Sequence, residues 1–393
     1  MYDTIIIGAG SSGLMCAARL VCDGMDNVLL LDSNPKAGKK LAITGNGRCN
    51  LTNLSLDKDL YFSDDKDRLY KVLSYFGVDE TINFFEKELG LKTVSKDELV
   101  YPVTLKSSSV IDVLRFYISK IDIEYELKVD KVSQDSEEYT VFAGEKSFEG
   151  RNVVFATGGM SYPKTGSDGN GYRLLSRFFK KEEFTAVTPS LVQLKTSDRD
   201  LKSLSGFRFN SRVSLISDNE TKATEVGELL FTDYGISGIC VMQLSRHLAN
   251  GRNKVVIDLL VDDEAICDSL RRFSHRSVPD ALIGILPSEL TKTVLKRLGT
   301  SELKDPPVIR RFIRMLHEFT VNISGTNGFD NSQVTRGGLN LKALDDELQS
   351  REHKGLYVCG EVLNVDGPCG GYNLQWAWSS AVVVADSIKR SIG

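Results

Sequence analysis

Asp3-Thr4-Ile5-Ile6-Ile7-Gly8-Ala9-Gly10-Ser11-Ser12-Gly13 decides the fold of this chain. The apolar run to Ile7 is what a buried parallel strand needs. The glycine turn follows at once, and Leu14 to Cys22 then reads as a helix. A second apolar run, Val28 to Leu31, ends on Asp32. Strand, glycine turn, helix, strand and acid together form a dinucleotide-binding pattern. Gly8 permits the tight turn, Gly10 lets backbone approach a pyrophosphate, and Gly13 lets helix pack on strand. Ser12 lies in the first helical turn, whose N–H groups and dipole suit phosphate. Asp32 is placed to accept bonds from a ribose. The pattern therefore predicts a bound adenine dinucleotide.

Length and composition set the frame around this motif. A chain of 393 residues is long enough for two or three cores. The net charge of −4 gives no general attraction to nucleic acid or anionic membrane. No apolar run reaches membrane-helix length, and the apolar start lacks the basic flank and cleavage site of a signal peptide. Seven cysteines without paired spacing point to reduced thiols in a cytoplasm. Neither a metal site nor a redox-active disulfide is expected. A small-molecule substrate is expected, with no nucleic-acid and no membrane partner.

Beyond Asp32, Lys39 to Asn53 has no clean helical or strand period. Gly45 and Gly47 suit close approach to a ligand, and the loop is placed to run along a cofactor. Lys40, Thr44, Gly47, Arg48, Cys49 and Asn50 are its candidate contacts, a solvated basic loop being the plain alternative. Cys49 reads first as a buried small thiol. Asp79 is expected to cap a helix carrying Ile82, Phe85 and Leu89, and a second helix is expected from Ser108 or Ser109. Alternation from Ile121 to Val129 predicts strands to about Phe148, with Val129 a further candidate contact.

Val153-Val154-Phe155 reads as a buried strand running into Ala156-Thr157-Gly158-Gly159. Small residues at that edge are where a doubly wound sheet meets its ligand, which makes Thr157 and Gly158 candidates. Tyr162 is a candidate proton donor, with packing on Pro163 the ordinary alternative. A helix is expected near Gly171–Lys180. From Pro189 short alternating segments suggest antiparallel strands. Residues 262–318 turn helical, with Pro306-Pro307 expected to break the pattern. Ten basic and nine acidic side chains there read as a solvated face. The chain closes with Leu356-Tyr357-Val358-Cys359, then Gly360-Glu361, Asp366 and Gly370-Gly371-Tyr372-Asn373-Leu374, which open a helix to the end. Gly360, Glu361, Asp366, Gly371, Tyr372, Asn373 and Leu374 are the last candidate contacts.

Four motifs carry a resemblance to a known family. They are Thr44-Gly45-Asn46-Gly47-Arg48-Cys49-Asn50, Gly158 to Gly166, Gly227-Glu228-Leu229-Leu230-Phe231-Thr232, and Gly360-Glu361 through Trp376-Ala377-Trp378. The sequence resembles the two-domain NAD(P)/FAD-dependent oxidoreductases that include 3-dehydro-bile-acid reductase-like and aminoacetone oxidase-like flavoproteins. The resemblance implies FAD and an α/β fold: a discontinuous Rossmann-type FAD domain with an inserted antiparallel β-barrel-like domain and a helical sub-domain. The boundaries expected are 1–188 with 331–393 for the FAD domain, 189–261 with 319–330 for the β-domain, and 262–318 for the helical lid. The insert is expected to close one side of a pocket floored by the flavin. Asn364 and Cys369 depart from the family's usual acid and threonine.

No second strand–glycine turn–helix unit exists for a nicotinamide, so NAD(P)H would dock transiently over the flavin. The leading expectation is a reductase passing hydride from NAD(P)H through FAD to a conjugated alkene, such as an oxo-steroid or bile-acid enone. Tyr162, Arg48 and Tyr372 are the candidate donors to the enone oxygen. An amine oxidase using dioxygen is the rival enzyme reading. A flavin-bearing sensor or RNA-associated protein is the rival of another class, and the near-neutral charge argues against RNA.

Overall fold

The computed structural model describes residues 1–249 and 251–392. Tyr2–Ile7 (β1) buries its last four residues, as a central strand covered on both faces must. Ser11–Cys22 (α1) follows, then Val28–Leu31 (β2), all four of whose side chains are buried. Asp122–Glu124 (β3), Lys131–Asp135 (β4), Glu138–Ala143 (β5) and Lys146–Phe155 (β6) come next. After them lie Asn170–Leu175 (α2), Phe184–Ser190 (β7), Val334–Leu339 (β8), Leu356–Val358 (β9) and Tyr372–Ile392 (α3).

The main sheet runs β3-β2-β1-β6, and every neighbour in that path is parallel. The far edge of β6 is shared. Val153–Phe155 pairs with β9 in parallel, while residues 146–150 pair with the antiparallel meander β5-β4. Helices α1 and α3 pack together, and Arg19 Nε of α1 donates to Asp386 Oδ1 of α3 at 2.8 Å. The carboxyl ends of β1, β2, β6 and β9 therefore face one side, where ligands of such sheets bind.

Several local expectations are corrected. The helix expected to be capped by Asp79 is capped instead at Gly77 and starts at Val78, where Glu80 reaches back to the Gly77 N–H at 2.9 Å. It passes into a π-helical turn at Phe84–Glu88, which turns Phe85 edge-on to Trp378, ring centroids 5.4 Å apart. The chain after β3 leaves the sheet: Glu126 and Leu127 N–H groups bond the Asn34 and Asp32 carbonyls. The helix expected to reach Lys180 stops at Leu175. Pro306 and Pro307 start a helix, Pro306–His317, rather than break one. Proline suits a first turn, whose N–H groups have no intrahelical partner. Glu302 to Lys304 is not helical.

The chain divides into two compact units, Met1–Pro189 with the chain from Gln333, and Ser190–Ser332. The second holds a closed six-stranded barrel. Its strands run Leu194–Thr196, Gly235–Ser237, Glu220–Phe231, Arg208–Ser217, Asn253–Asp258 and Phe319–Thr326 in spatial order. Alternate residues fill it: Val213, Leu215, Val255, Ile257, Phe319 and Val321 are all buried. Four helices, Asp263–Arg272, Val278–Leu282, Ser288–Leu298 and Pro306–His317, are inserted between its last two strands in sequence.

His317 clamps the two chain passages that join this helical insertion to the barrel. Its Nδ1 lies 2.7 Å from Asp258 Oδ1 and its Nε2 2.8 Å from Asp263 Oδ1. The Asp263 bond, with the bond and charge of Asp258, raises the imidazole pKa above its ordinary 6.5 against the cost of burial. Burial opposes ionisation of Asp258, yet the His317 bond and the Leu260 N–H hold its pKa low. A group whose pKa is raised on folding stabilises fully below its unfolded pKa and loses that effect as pH rises through the folded one. The Tm difference between the parent and His317→Gln should therefore be largest below the ordinary imidazole pKa of about 6.5 and shrink as pH rises above it. A difference independent of pH, measured by calorimetry, would show that protonation of His317 does not hold the neck.

Candidate cofactor and active site

The first turn builds one end of the candidate site. Gly8 adopts φ +107°, and a Cβ there would meet the Ala156 carbonyl oxygen at 2.5 Å. A Cβ on Gly13 would lie 1.8 Å from the Gly8 carbonyl oxygen. Gly10 differs: nothing lies within 4 Å of its Cβ position, which opens on empty space. No side chain caps α1 at Gly10, so the first-turn N–H groups and the positive helix end are offered to a ligand. Ser12 turns inward, its Oγ set against Gly360 and the Cys359 thiol.

Asp32 holds the turn as well as facing the site. Its Oδ2 accepts the Ala9 N–H at 2.6 Å, and Oδ1 accepts the Asn34 N–H and Nδ2 at 2.7 and 2.9 Å. Oδ1 is thus filled by two donors, while Oδ2, with one, keeps a free lone pair for a ribose hydroxyl. Asn34, which sequence reasoning missed, also donates to the Thr165 carbonyl and so ties the Asp32 strand end to the Tyr162 turn.

The loop after Asp32 winds through short helical turns from Leu41 to Gly47. Thr44 Oγ1 donates back to Leu41, and Gly47 has φ +81°. Arg48 is exposed, whereas Cys49 is fully buried with its pKa pushed up to about 12 by burial, against a bond from Thr44. A thiol so protonated is a packing group rather than a nucleophile. Asn50 is buried, and its Oδ1 has no partner among the described residues.

Lys40 Nζ crosses to Glu361 Oε2 at 2.7 Å. Glu361 Oε1 accepts the Thr335 N–H at 2.9 Å, and Thr335 Oγ1 accepts the Met160 and Ser161 N–H groups at 2.7 and 3.1 Å. Gly159 fits this junction only without a side chain, since a Cβ would meet Thr335 Oγ1 at 2.4 Å. Thr335 was absent from the sequence reading; its one signal is the Gly337-Gly338 pair two residues on. Gly158 has φ +67° beside Ser167, and Thr157 points its Oγ1 at Gly171 of α2, with no hydrogen-bond partner among the described residues. The Val129 carbonyl accepts Asn170 Nδ2 at 2.9 Å and so fixes the start of α2.

The C-terminal segment supplies a second helix start. Gly360 N donates to Ser380 Oγ, and its carbonyl accepts Trp376 Nε1. Asp366 is buried on the strand that pairs with Phe62. Gly371 (φ +95°) lies against Thr52, where a Cβ would clash with backbone at 2.6 Å. Asn373 fastens the preceding loop, its amide bonding Gly367 and Pro368. Leu374 packs on the core. Asn364 bonds Thr185 and Asn340, joining β7 to β8, which gives the asparagine a structural reason. Cys369 Sγ lies 3.6 Å from Gln333 Oε1.

The three candidate donors fare differently. Tyr372 is buried, its ring 5.4 Å from Tyr61 and its hydroxyl taken by the Asp57 N–H at 3.2 Å. Tyr162 sits in the left-handed region at φ +54°, a strained place for a tyrosine. It lies in the turn held by Asn34 and Thr165. Arg48 remains exposed on the facing loop.

A family model described as HI0933-like protein Rossmann domain matches residues 2–387. The chain belongs to this family. Among relatives of this HI0933-like chain is a 3-dehydro-bile acid delta(4,6)-reductase of Clostridium scindens, 36% identical, with 95% of this chain and 96% of the relative covered. A ribosomal RNA dihydrouridine synthase of Escherichia coli is 30% identical, with 98% of each covered. A 3-ketosteroid delta1-dehydrogenase from Sterolibacterium denitrificans has the same fold, with TM-score 0.53, 12% identity and 99% of each chain covered. The HI0933-like chain is thus an FAD-dependent oxidoreductase of Rossmann type. Its residues fit FAD: an open cradle at Gly10, the Asp32 carboxylate at the end of β2, and buried polar atoms at Asn50 and Tyr172 without partners among the described residues.

Proposed function

We propose that this chain reduces a carbon–carbon double bond conjugated to a carbonyl, with NAD(P)H as the electron source and a small oxo-steroid-like enone as substrate. The observation that carries this reading is the end-to-end match to a reductase named for removal of delta(4,6) unsaturation. The E. coli relative's name points the same way, because dihydrouridine is uridine with its ring double bond saturated. Both names describe hydrogen added across C=C, and an RNA uridine is therefore the competing substrate.

Bound FAD would supply hydride transfer, and the chain's own residues do the rest. The α1 start and Asp32 hold the adenine-dinucleotide half. Glu361, fixed by Lys40 and Thr335, braces the strand ends at the ring half. Charge that develops on a substrate carbonyl needs a donor within hydrogen-bond reach. Tyr162 and Arg48 are proposed for that role, and Tyr372 is proposed as a packing residue.

Anaerobic stopped-flow mixing tests the reading. NADH or NADPH should bleach the flavin absorbance, and a 3-oxo-Δ4 steroid should restore it in a second mix, with the saturated product found by mass spectrometry. Restoration by a uridine-containing rRNA fragment but not by the steroid would move the substrate to RNA. Restoration by dioxygen alone, after bleaching by an amine, would replace the reductase by an oxidase.

A further inference from the structure

Tyr172 is the third residue beyond the Gly169 cap of α2 and had no place in the sequence reading. Its hydroxyl is shut off from solvent and has no hydrogen-bond partner among the described residues. The ring lies against Gly338 of β8, where a Cβ would come within 3.2 Å of Tyr172 Cε1 and 2.4 Å of the Val362 carbonyl oxygen. Gly338 thus leaves the space that the tyrosine fills. The charged group facing the hydroxyl is the Glu361 carboxylate, and burial together with that charge raises the phenol pKa far above 10. Tyr172 is therefore a neutral donor at every working pH.

A buried donor without a partner is costly, and native proteins rarely keep one without a reason. Phenylalanine would fill the same space without that cost. The carboxylate beside it is already held, Oε1 by Thr335 N–H and Oε2 by Lys40. Tyr172 is the donor left over in a cluster that joins the Lys40 loop, β8 and the segment after β9. That cluster lies at the carboxyl edge of the parallel sheet, where the ligand of this fold is expected.

We infer that Tyr172 is a further FAD-contact residue, whose hydroxyl donates to an oxygen of the cofactor's polar ribityl–pyrophosphate chain and is satisfied only when FAD is bound. This rests on the FAD reading of the site, and it adds a ligand contact from a helix that carries no glycine fingerprint.

The test compares apo and FAD-loaded forms of Tyr172→Phe. Apo protein should keep or gain Tm, because the orphaned hydroxyl is gone. The FAD dissociation constant, from quenching of flavin fluorescence, should rise by about tenfold or more. Tyr139→Phe is the control: its hydroxyl donates to the Lys354 carbonyl at 2.7 Å, so apo Tm should fall with FAD affinity unchanged. A Tyr172→Phe protein that binds FAD as the parent does overturns the inference, as does one whose apo Tm drops like that of the control. Failure of the parent apo protein to bind FAD at all would instead remove the FAD reading itself.

Discussion

Gly10→Val should yield a folded, colourless protein. Nothing lies within 4 Å of a Cβ at this position, and the backbone there (φ −78°, ψ −166°) is one that valine adopts readily. The apo fold therefore loses nothing, and apo Tm should hold or rise slightly as the unfolded chain stiffens, by about 0.4–1 kcal/mol. The side chain fills open space at the start of α1, where a pyrophosphate would have to come within hydrogen-bond distance of backbone. FAD affinity should drop by at least ~100-fold, equivalent to about 2.7 kcal/mol, and the Tm increase that FAD confers on the parent should disappear. The measurements are flavin content after purification and the thermal shift on adding FAD. A yellow Gly10→Val protein with normal occupancy would place the phosphates elsewhere.

Gly13→Ala should fail in the opposite way. By helix propensity alone alanine gains about 1 kcal/mol over glycine. Here its Cβ would sit 1.8 Å from the Gly8 carbonyl oxygen and 3.3 Å from the Ala156 Cβ. Gly8 cannot retreat, because its N–H is bonded to the Leu31 carbonyl at 2.8 Å and its own Cβ position is closed by Ala156. Relief requires α1 to lift from β1 and thus from α3, which packs on it. We expect a loss of several kcal/mol, about 3 or more, a large fraction of the stability of an ordinary domain. Soluble yield and the apo denaturation midpoint measure this without FAD. A Gly13→Ala apo protein with the parent's midpoint would mean that α1 and β1 are not in such close contact.

The site was legible in the sequence wherever a backbone constraint leaves a residue-type mark. Gly8, Gly10, Gly13 and Asp32 were read correctly as one turn because steric demand and ribose chemistry each restrict the choice to one or two residue types. Thr335, Asn34 and Tyr172 were not legible. A threonine, an asparagine and a tyrosine mark no particular role, and each matters here only through what lies across space from it. The helical insertion misled at Pro306-Pro307, because proline marks a helix start as readily as a break, and only the chain before it tells which.

The sequence alone determined the order of elements and the parallel character of the central strands. Ile5-Ile6-Ile7, Val28 to Leu31 and Val153 to Phe155 are apolar on both faces and leave no other place for these strands. Only the tertiary structure separated three glycines that look alike in the motif: two are closed by carbonyl oxygens of Ala156 and Gly8, and one faces open space. Likewise it alone set the buried Tyr372 hydroxyl to accept the Asp57 N–H, and left the hydroxyl of Tyr172 without a partner among the described residues. The physical reason is the same in each case. Sequence records what a residue can do, while the vacancy or partner that decides what it does is built by other segments, some more than a hundred residues away, such as Gly8 with Ala156 and Tyr172 with Gly338.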